Sequence, residues 1–304
     1  MKKIIFLYIN IFALLCHNYA QLNADSLKKV ISQMPNDTAS IYKILKIGRN
    51  IEKTDFKLSL DIYKLAEEKY GDNVYDSTEG AIYTLLANSY SWQDDANQAM
   101  KYFLKTKDIG ERLKNNGFIA TGYSGIALVY HLNKDFVTAI ENYEKAMPFY
   151  TNDYAKSHEY IVANVGNLGY AYYQQSQTID TSIKSNLALY NTTLQKAIFN
   201  NKLSLELALQ PLTDSTGMAK ATINLCLEYV AFGNIDSALY YYNFSSKLLL
   251  HVKNQDAHCE HFYNKGQIAF FKKEYKAALA AYNSSLLIAQ KITYQEYIYE
   301  NFYS

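Results

Sequence analysis

Proline is nearly missing from this sequence. Pro35, Pro148 and Pro211 are the three in 304 residues, where about 5% is usual. Proline breaks helix interiors by removing an N–H donor and crowding the preceding turn, so a long chain that avoids it is helical through most of its length. Glycine is also sparse, at twelve residues, which excludes collagen-like and glycine-rich linker sequences. Neither sign of charge dominates: 30 Lys and Arg face 29 Asp and Glu, a formal charge of +1. The basic footprint of a nucleic-acid binder is therefore lacking. Three cysteines, Cys16, Cys226 and Cys259, are too few for a disulfide framework. No G-x-S-x-G, H-E-x-x-H, Walker A or G-x-G-x-x-G motif occurs, so the commonest signatures of nucleophilic, zinc-hydrolytic and phosphate-binding chemistry are absent. What is abundant is apolar: 49% hydrophobic against 19% charged residues, enough to bury a core and to exclude disorder. Tyrosine alone accounts for 30 positions.

The N-terminus reads as an address. Lys2 and Lys3 precede an apolar run from Ile4 to Leu15. That run is shorter than the ~20 residues a membrane span requires and fits the apolar region of a secretory signal peptide. Cleavage after Ala20 is expected, making residues 1–20 the signal and 21–37 a lead-in. Lipid anchoring at Cys16 is disfavoured because Leu15, not a small residue, precedes it. No later apolar run is long enough to span a membrane. Removing Lys2 and Lys3 with the leader takes the formal charge from +1 to −1. Export to the periplasm or cell envelope is the expected localisation; an uncleaved anchor is the alternative.

The chain repeats itself. An acidic or polar residue is followed by a bulky one, a small one and, four further on, an aromatic. Asp55, Phe56, Ser59 and Tyr63 form one copy; Asp95, Ala99 and Phe103 the next; then Asp135, Ala139 and Tyr143; Asn234, Ala238 and Tyr242; and Glu274, Ala278 and Tyr282. The small residue steps by 40 from Ser59 to Ala99 to Ala139, and again from Ala238 to Ala278. A degenerate copy around Ala188 is expected to fill the gap. A second pattern precedes each copy. It reads Tyr83, Leu86, Ala87, Tyr90; Tyr123, Ile126, Ala127, Tyr130; and Val165, Leu168, Gly169, Tyr172. Thr222, Leu225, Cys226, Tyr229 and then Phe262, Gly266 continue it, whereas the first copy, at Lys43, Lys46, Ile47 and Asn50, barely matches. Residues three and four apart share a helix face, so each set is one packing stripe with a small residue where two helices approach closely.

Over residues 38–292 these stripes resemble the tetratricopeptide repeat, with HEAT-like repeats as the structural alternative. The resemblance implies an all-α fold, a right-handed α-α superhelix of about six helix-turn-helix repeats, each with a first helix A and a second helix B. The period of 40 exceeds the family's usual 34 or so and implies longer helices or loops. Tyr63, Tyr83, Tyr90, Tyr123, Tyr130, Tyr143, Tyr172, Tyr229, Tyr242 and Tyr282 then read as packing residues. The fourth unit is irregular: Gln174 to Asp180 lengthens its inter-helix loop, and residues 188–209 read as one long helix. Residues 293–304 look like the start of an incomplete seventh repeat.

The only ligand-like cluster is His258-Cys259-Glu260-His261. It reads as a solvated helix start, and no metal or cofactor is expected. Cys226 and Cys259 fall in different slots of equivalent helices and are not expected to pair. The resemblance further implies a concave groove lined by A helices, binding a protein or peptide, without catalysis. By helical phase, the groove-facing residues off the packing stripe are Asn88, Trp92, Ser124, His131, Tyr170, Tyr173, Tyr263 and Gln267. A two-carboxylate clamp for acidic C-termini is not expected, since only Asn88 occupies a suitable slot. The chain thus reads as an exported interaction scaffold that binds no nucleic acid and has no membrane span in its mature form. The alternative is the extracytoplasmic sensor portion of a signalling protein, a histidine kinase or helix-turn-helix regulator.

Overall fold

The computed structural model describes residues 24–52, 55–70, 76–150, 154–209 and 214–292. The leader at 1–20, residues 21–23 of the lead-in and the incomplete repeat at 293–304 lie outside the described residues, as does Pro211. Thirteen α-helices and no strand occur among the described residues. They are α1 (Ala24–Ser32), α2 (Thr38–Glu52), α3 (Phe56–Tyr70), α4 (Ser77–Ser91), α5 (Ala96–Leu113), α6 (Asn116–Leu132) and α7 (Phe136–Tyr150). There follow α8 (Tyr154–Gln177), α9 (Leu187–Ala208), α10 (Ser215–Ala231), α11 (Ile235–Leu248), α12 (Gln255–Phe271) and α13 (Tyr275–Ile292). Pro148 sits in the last turn of α7, after most of that helix's hydrogen bonds are made. No described helix is long and apolar enough to cross a membrane.

The chain divides into two compact units, one ending at Val129 and the other beginning at Tyr130, within α6. In the first unit, α2 pairs with α3 and α4 with α5. In the second, α8 pairs with α9, α10 with α11 and α12 with α13, while α8 touches α10 and α10 touches α12.

One contact recurs within the pairs: a small residue on the first helix faces an aromatic ring on the second. A Cβ added at Gly266 would lie 2.3 Å from the Tyr282 ring. At Gly48 it would lie 2.2 Å from the Tyr63 ring. The second contact corrects the register expected for the first repeat. Its stripe is Ile44, Ile47, Gly48 and Ile51, all buried, while Lys43, Lys46 and Asn50 are exposed. The cause is one residue of turn: Gly48 precedes its ring by 15 positions, whereas Ala87, Ala127, Cys226 and Gly266 precede theirs by 16.

The turns between A and B helices are equally regular. Asp94, Lys134, Gly233 and Lys273 all have positive φ, between 57° and 78°. Each stands immediately before the residue that opens the next helix. The N–H groups of Asp95, Asp135, Asn234 and Glu274 donate back to the carbonyls of Tyr90, Tyr130, Tyr229 and Ala269 at 2.9–3.0 Å. That left-handed residue with a six-residue closure satisfies carbonyls that the helix end leaves open. The side chains of Asp95, Asp135 and Asn234 then accept from N–H groups three residues on, capping the following helix.

The fourth repeat breaks this turn. Its A helix, α8, continues to Gln177 through a glutamine-rich stretch that permits helix. A short 3-10 turn at Lys184–Asn186 leads into α9. Asp180 accepts from both the N–H and the hydroxyl of Ser182, fixing the connection. The expected small residue here, Ala188, is exposed. The residue that meets Gly169 is instead the fully buried Ala197, and the aromatic position is filled by Asn201, whose Nδ2 would lie 2.4 Å from a Cβ at Gly169. The separation from Gly169 to Asn201 is 32 positions, twice the normal 16.

Candidate interaction face

Asn201 has a purpose a tyrosine could not serve. Its Nδ2 donates to Glu228 Oε1 of α10 at 2.5 Å, and its Oδ1 accepts from Asn224 Nδ2 at 3.1 Å. Glu228 is 1% exposed, and its Oε2 has no hydrogen-bond partner among the described residues. Burial drives its carboxyl well above the usual carboxylate range, and the Asn201 hydrogen bond opposes that only in part. The α9–α10 junction thus carries a buried polar patch beside the apolar contact of Ile198, Leu205 and Ala208 with Met218, Ala221 and Leu225. Gly169 and Glu228 adjoin in sequence Tyr170 and Leu227, which belong to the candidate face.

On that face the second unit assembles five of the eight sequence-predicted residues. His131, at the end of α6, stacks on Tyr170 with ring centroids 5.6 Å apart, and Tyr170 stacks on Tyr173 at 6.0 Å. Phe136 and Tyr143 meet the imidazole edge-on. His131 Nε2 lies 2.5 Å from Gln174 Oε1. An amide oxygen only accepts, so the imidazole donates. Burial lowers the His131 pKa, and the Gln174 hydrogen bond opposes that shift; its Nδ1 has no partner among the described residues. Tyr170 and Tyr173 pack against a cluster containing Leu227 of α10 and Tyr263 of α12. The Tyr263 hydroxyl in turn accepts from Gln267 Nε2 at 2.6 Å.

The other three predicted residues lie in the first unit and make no such assembly. Trp92 caps the C-terminal end of α4, is 66% exposed, and rests on Phe56, the first residue of α3, at 5.0 Å. It covers the start of the neighbouring helix at the turn. Asn88 and Ser124 are half-buried on α4 and α6.

Gln174, which accepts from His131, escaped the sequence reading. Helical phase also singles out Leu227, Val230 and Phe270, of which Leu227 is buried in the core, Val230 packs against the cluster of Cys226, Ala238 and Ile268, and Phe270 meets Tyr275 edge-on. Leu227 and Val230 lie one and four positions past the small residue Cys226, just as Tyr170 and Tyr173 lie past Gly169. Phe270 lies four past Gly266 and is 51% exposed.

The His-Cys-Glu-His cluster does not converge. His258 Nε2 pairs with the Val252 carbonyl, and Cys259 Sγ lies 3.3 Å from Ser285 Oγ. His261 stacks beneath Tyr242 at 4.3 Å with its ring nitrogens on Ser245 and Ser246. Burial, with like charge from His258 and Lys265, lowers the His261 pKa to about 4. Cys226 and Cys259 are buried and unpaired.

Paired helices joined by a recurring turn that the fourth repeat breaks, with Gly48 and Gly266 packed against the rings of Tyr63 and Tyr282, define an α-helical repeat protein of solenoid type. Residues 78–151 match the tetratricopeptide repeat family. No curated protein sequence matches the chain. Among solved structures, a Rap protein complexed with competence and sporulation factor superposes with a TM-score of 0.62 at 16% identity, covering 99% of this chain and 80% of that one. NprR in complex with its cognate peptide NprX gives 0.60 at 15% identity, covering 95% and 79%. Aspartyl phosphate phosphatase F from Bacillus subtilis gives 0.60 at 12%, covering 83% of this chain and 60% of that one. At these identities the likeness is one of fold.

Proposed function

We propose that the protein is a non-catalytic interaction scaffold and that the face shared by α8, α10 and α12 binds a segment of a peptide or protein partner. The observation that carries this reading is the convergence of His131, Tyr170, Tyr173, Tyr263 and Gln267 in one ring-and-amide assembly. Rings with polar tips, partly buried on a rigid helical support, supply large contact area at low entropic cost, which is why tyrosine anchors interfaces. NprR, similar in fold, is a structure with a cognate peptide. The reading includes export, supported by the basic and apolar leader in residues 1–20; N-terminal sequencing of the protein from its own host is expected to start at Gln21.

The test of binding is a random peptide library displayed on phage and panned on the full chain, with enriched peptides remade and titrated by fluorescence anisotropy. Tyr173→Ala combined with Gln267→Ala should weaken those peptides about tenfold or more, the loss expected of an interface anchor, with helicity unchanged by circular dichroism. Equal affinity for the double variant refutes the assignment of this face.

A further inference from the structure

We infer that the segment received by this face is uncharged along its central part and anchored by an apolar or aromatic side chain. This rests on the peptide-binding reading above and gives it a ligand class. The two positions that follow the small residue on α8, α10 and α12 carry Tyr170, Tyr173, Leu227, Val230, Gln267 and Phe270. None of these side chains is charged near neutral pH. His131, the one titratable neighbour with a pKa near that range, is kept neutral by burial. Lys265 and Glu228 lie nearer in sequence but on other sides of α12 and α10; on the side of Leu227 and Gln267 the first charges toward the helix starts are Lys220 and Glu260, seven residues before them. At 1.5 Å of rise per residue that is about 10 Å along the axis, close to the ~8 Å over which physiological salt screens exposed charges. The two are also opposite in sign, so they add no net charge to the face.

A carboxylate or ammonium group laid across these rings would leave water with no counter-charge to meet it, which is costly. An apolar or aromatic side chain would gain contact with the Tyr170–Tyr173 stack. A peptide backbone still needs partners, and Gln267 offers one. Its Nε2 is engaged by the Tyr263 hydroxyl, which orients its carbonyl oxygen to accept a backbone N–H. Charge complementarity therefore selects a neutral, apolar-anchored segment over an acidic or basic tail.

The experiment uses the full chain and three pools of synthetic peptides of equal length: neutral peptides built from Phe, Leu, Pro, Asn and Ser, and matched acidic and basic pools. The neutral pool should contain the tightest binders, by about tenfold or more in Kd. Raising the salt well above physiological strength should change that Kd by less than about twofold, because no charge pair is there to screen. Gln267→Glu, which puts a carboxylate on the face, should weaken the neutral binders about tenfold, whereas Lys220→Gln should leave them unchanged. Tightest binding by acidic or basic peptides, lost in Tyr173→Ala and steeply salt-dependent, overturns this inference while leaving the peptide-binding face intact. Absence of binding by all three pools overturns both.

Discussion

Replacing Glu228 by glutamine isolates the energetics of the α9–α10 junction. The carboxyl is 1% exposed, receives one hydrogen bond from Asn201 at 2.5 Å, and has its second oxygen buried without a partner among the described residues. Its folded pKa is raised, chiefly by burial, above an unfolded value of about 4.3. Below that unfolded value the group is protonated in both states and the pH does not matter. Above it the folded chain binds the extra proton, so stability falls as pH rises until the folded pKa is passed. The slope is at most about 1.4 kcal/mol per pH unit. Glutamine keeps the oxygen that accepts from Asn201 but cannot ionise. It places an amide N–H₂ where Oε2 was, at a constant cost of about 1–3 kcal/mol if unsatisfied. Glu228→Gln should thus be no more stable than the parent near pH 4.5 and should gain on it as the pH rises from there. Urea unfolding followed by circular dichroism at a series of pH values measures the difference, from which the titrations common to both proteins cancel. Parallel curves for parent and variant would falsify the claim that this carboxyl is buried without compensation.

Further perturbations follow from the repeated contacts. Gly266→Ala forces a methyl to within 2.3 Å of the Tyr282 ring. It should lower stability by about 1–3 kcal/mol despite alanine's better helix propensity, and Tyr282→Leu in the same chain should recover part of the loss in thermal melts. Gly233→Ala meets nothing within 4 Å of the new Cβ, so its cost, about 1 kcal/mol, should come solely from the φ of +78°. Lys273→Gly, at φ +63° in the equivalent turn, should raise the melting temperature, and an unchanged or lower value would mean that the lysine side chain contributes more than the turn strain removes. Trp92→Ala should leave peptide affinity at the second-unit face within about twofold, since its ring contact is with Phe56.

The fold was legible because a solenoid writes the same contact many times. With small residues 40 apart and a ring four positions later, Tyr83, Ala87, Ala99 and Phe103 could be placed from spacing alone. Legibility failed where the spacing changed. One missing turn residue after α2 moved the first repeat out of phase, so that Ile44, Ile47, Gly48 and Ile51 passed for a weak match at Lys43 and Lys46. In the fourth repeat the extended α8 and α9 moved the small position from Ala188 to Ala197, and no aromatic marked it because Asn201 stands there. The candidate face was half legible. Helical phase named Tyr170, Tyr173, Tyr263 and Gln267, which the structure brings together with His131, and Trp92, whose ring contact is with Phe56 in the other unit. Leu227 reads as core in the sequence and is buried there. The partners of Asn201 could not be read, since hydrogen bonds between helices 23 and 27 residues apart leave no local pattern.

In a repeat protein, stability is approximately a sum of terms within each unit and between neighbours, and cooperativity is only as strong as the weakest neighbour term. At the junction of α9 and α10 an aromatic wedge has been exchanged for an asparagine, a second asparagine and a buried acid. This makes part of the term there depend on protonation, beside the apolar contact of Ile198, Leu205 and Ala208 with Met218, Ala221 and Leu225. The second unit therefore carries a pH-sensitive seam. Under rising denaturant the helices on either side of it can part before either side melts, and amide exchange would record two cooperative blocks, α8 with α9 and α10 through α13. Tyr170 and Tyr173 lie on one block and Leu227 and Tyr263 on the other, so a segment bound across them, as proposed for this face, would fasten the seam shut.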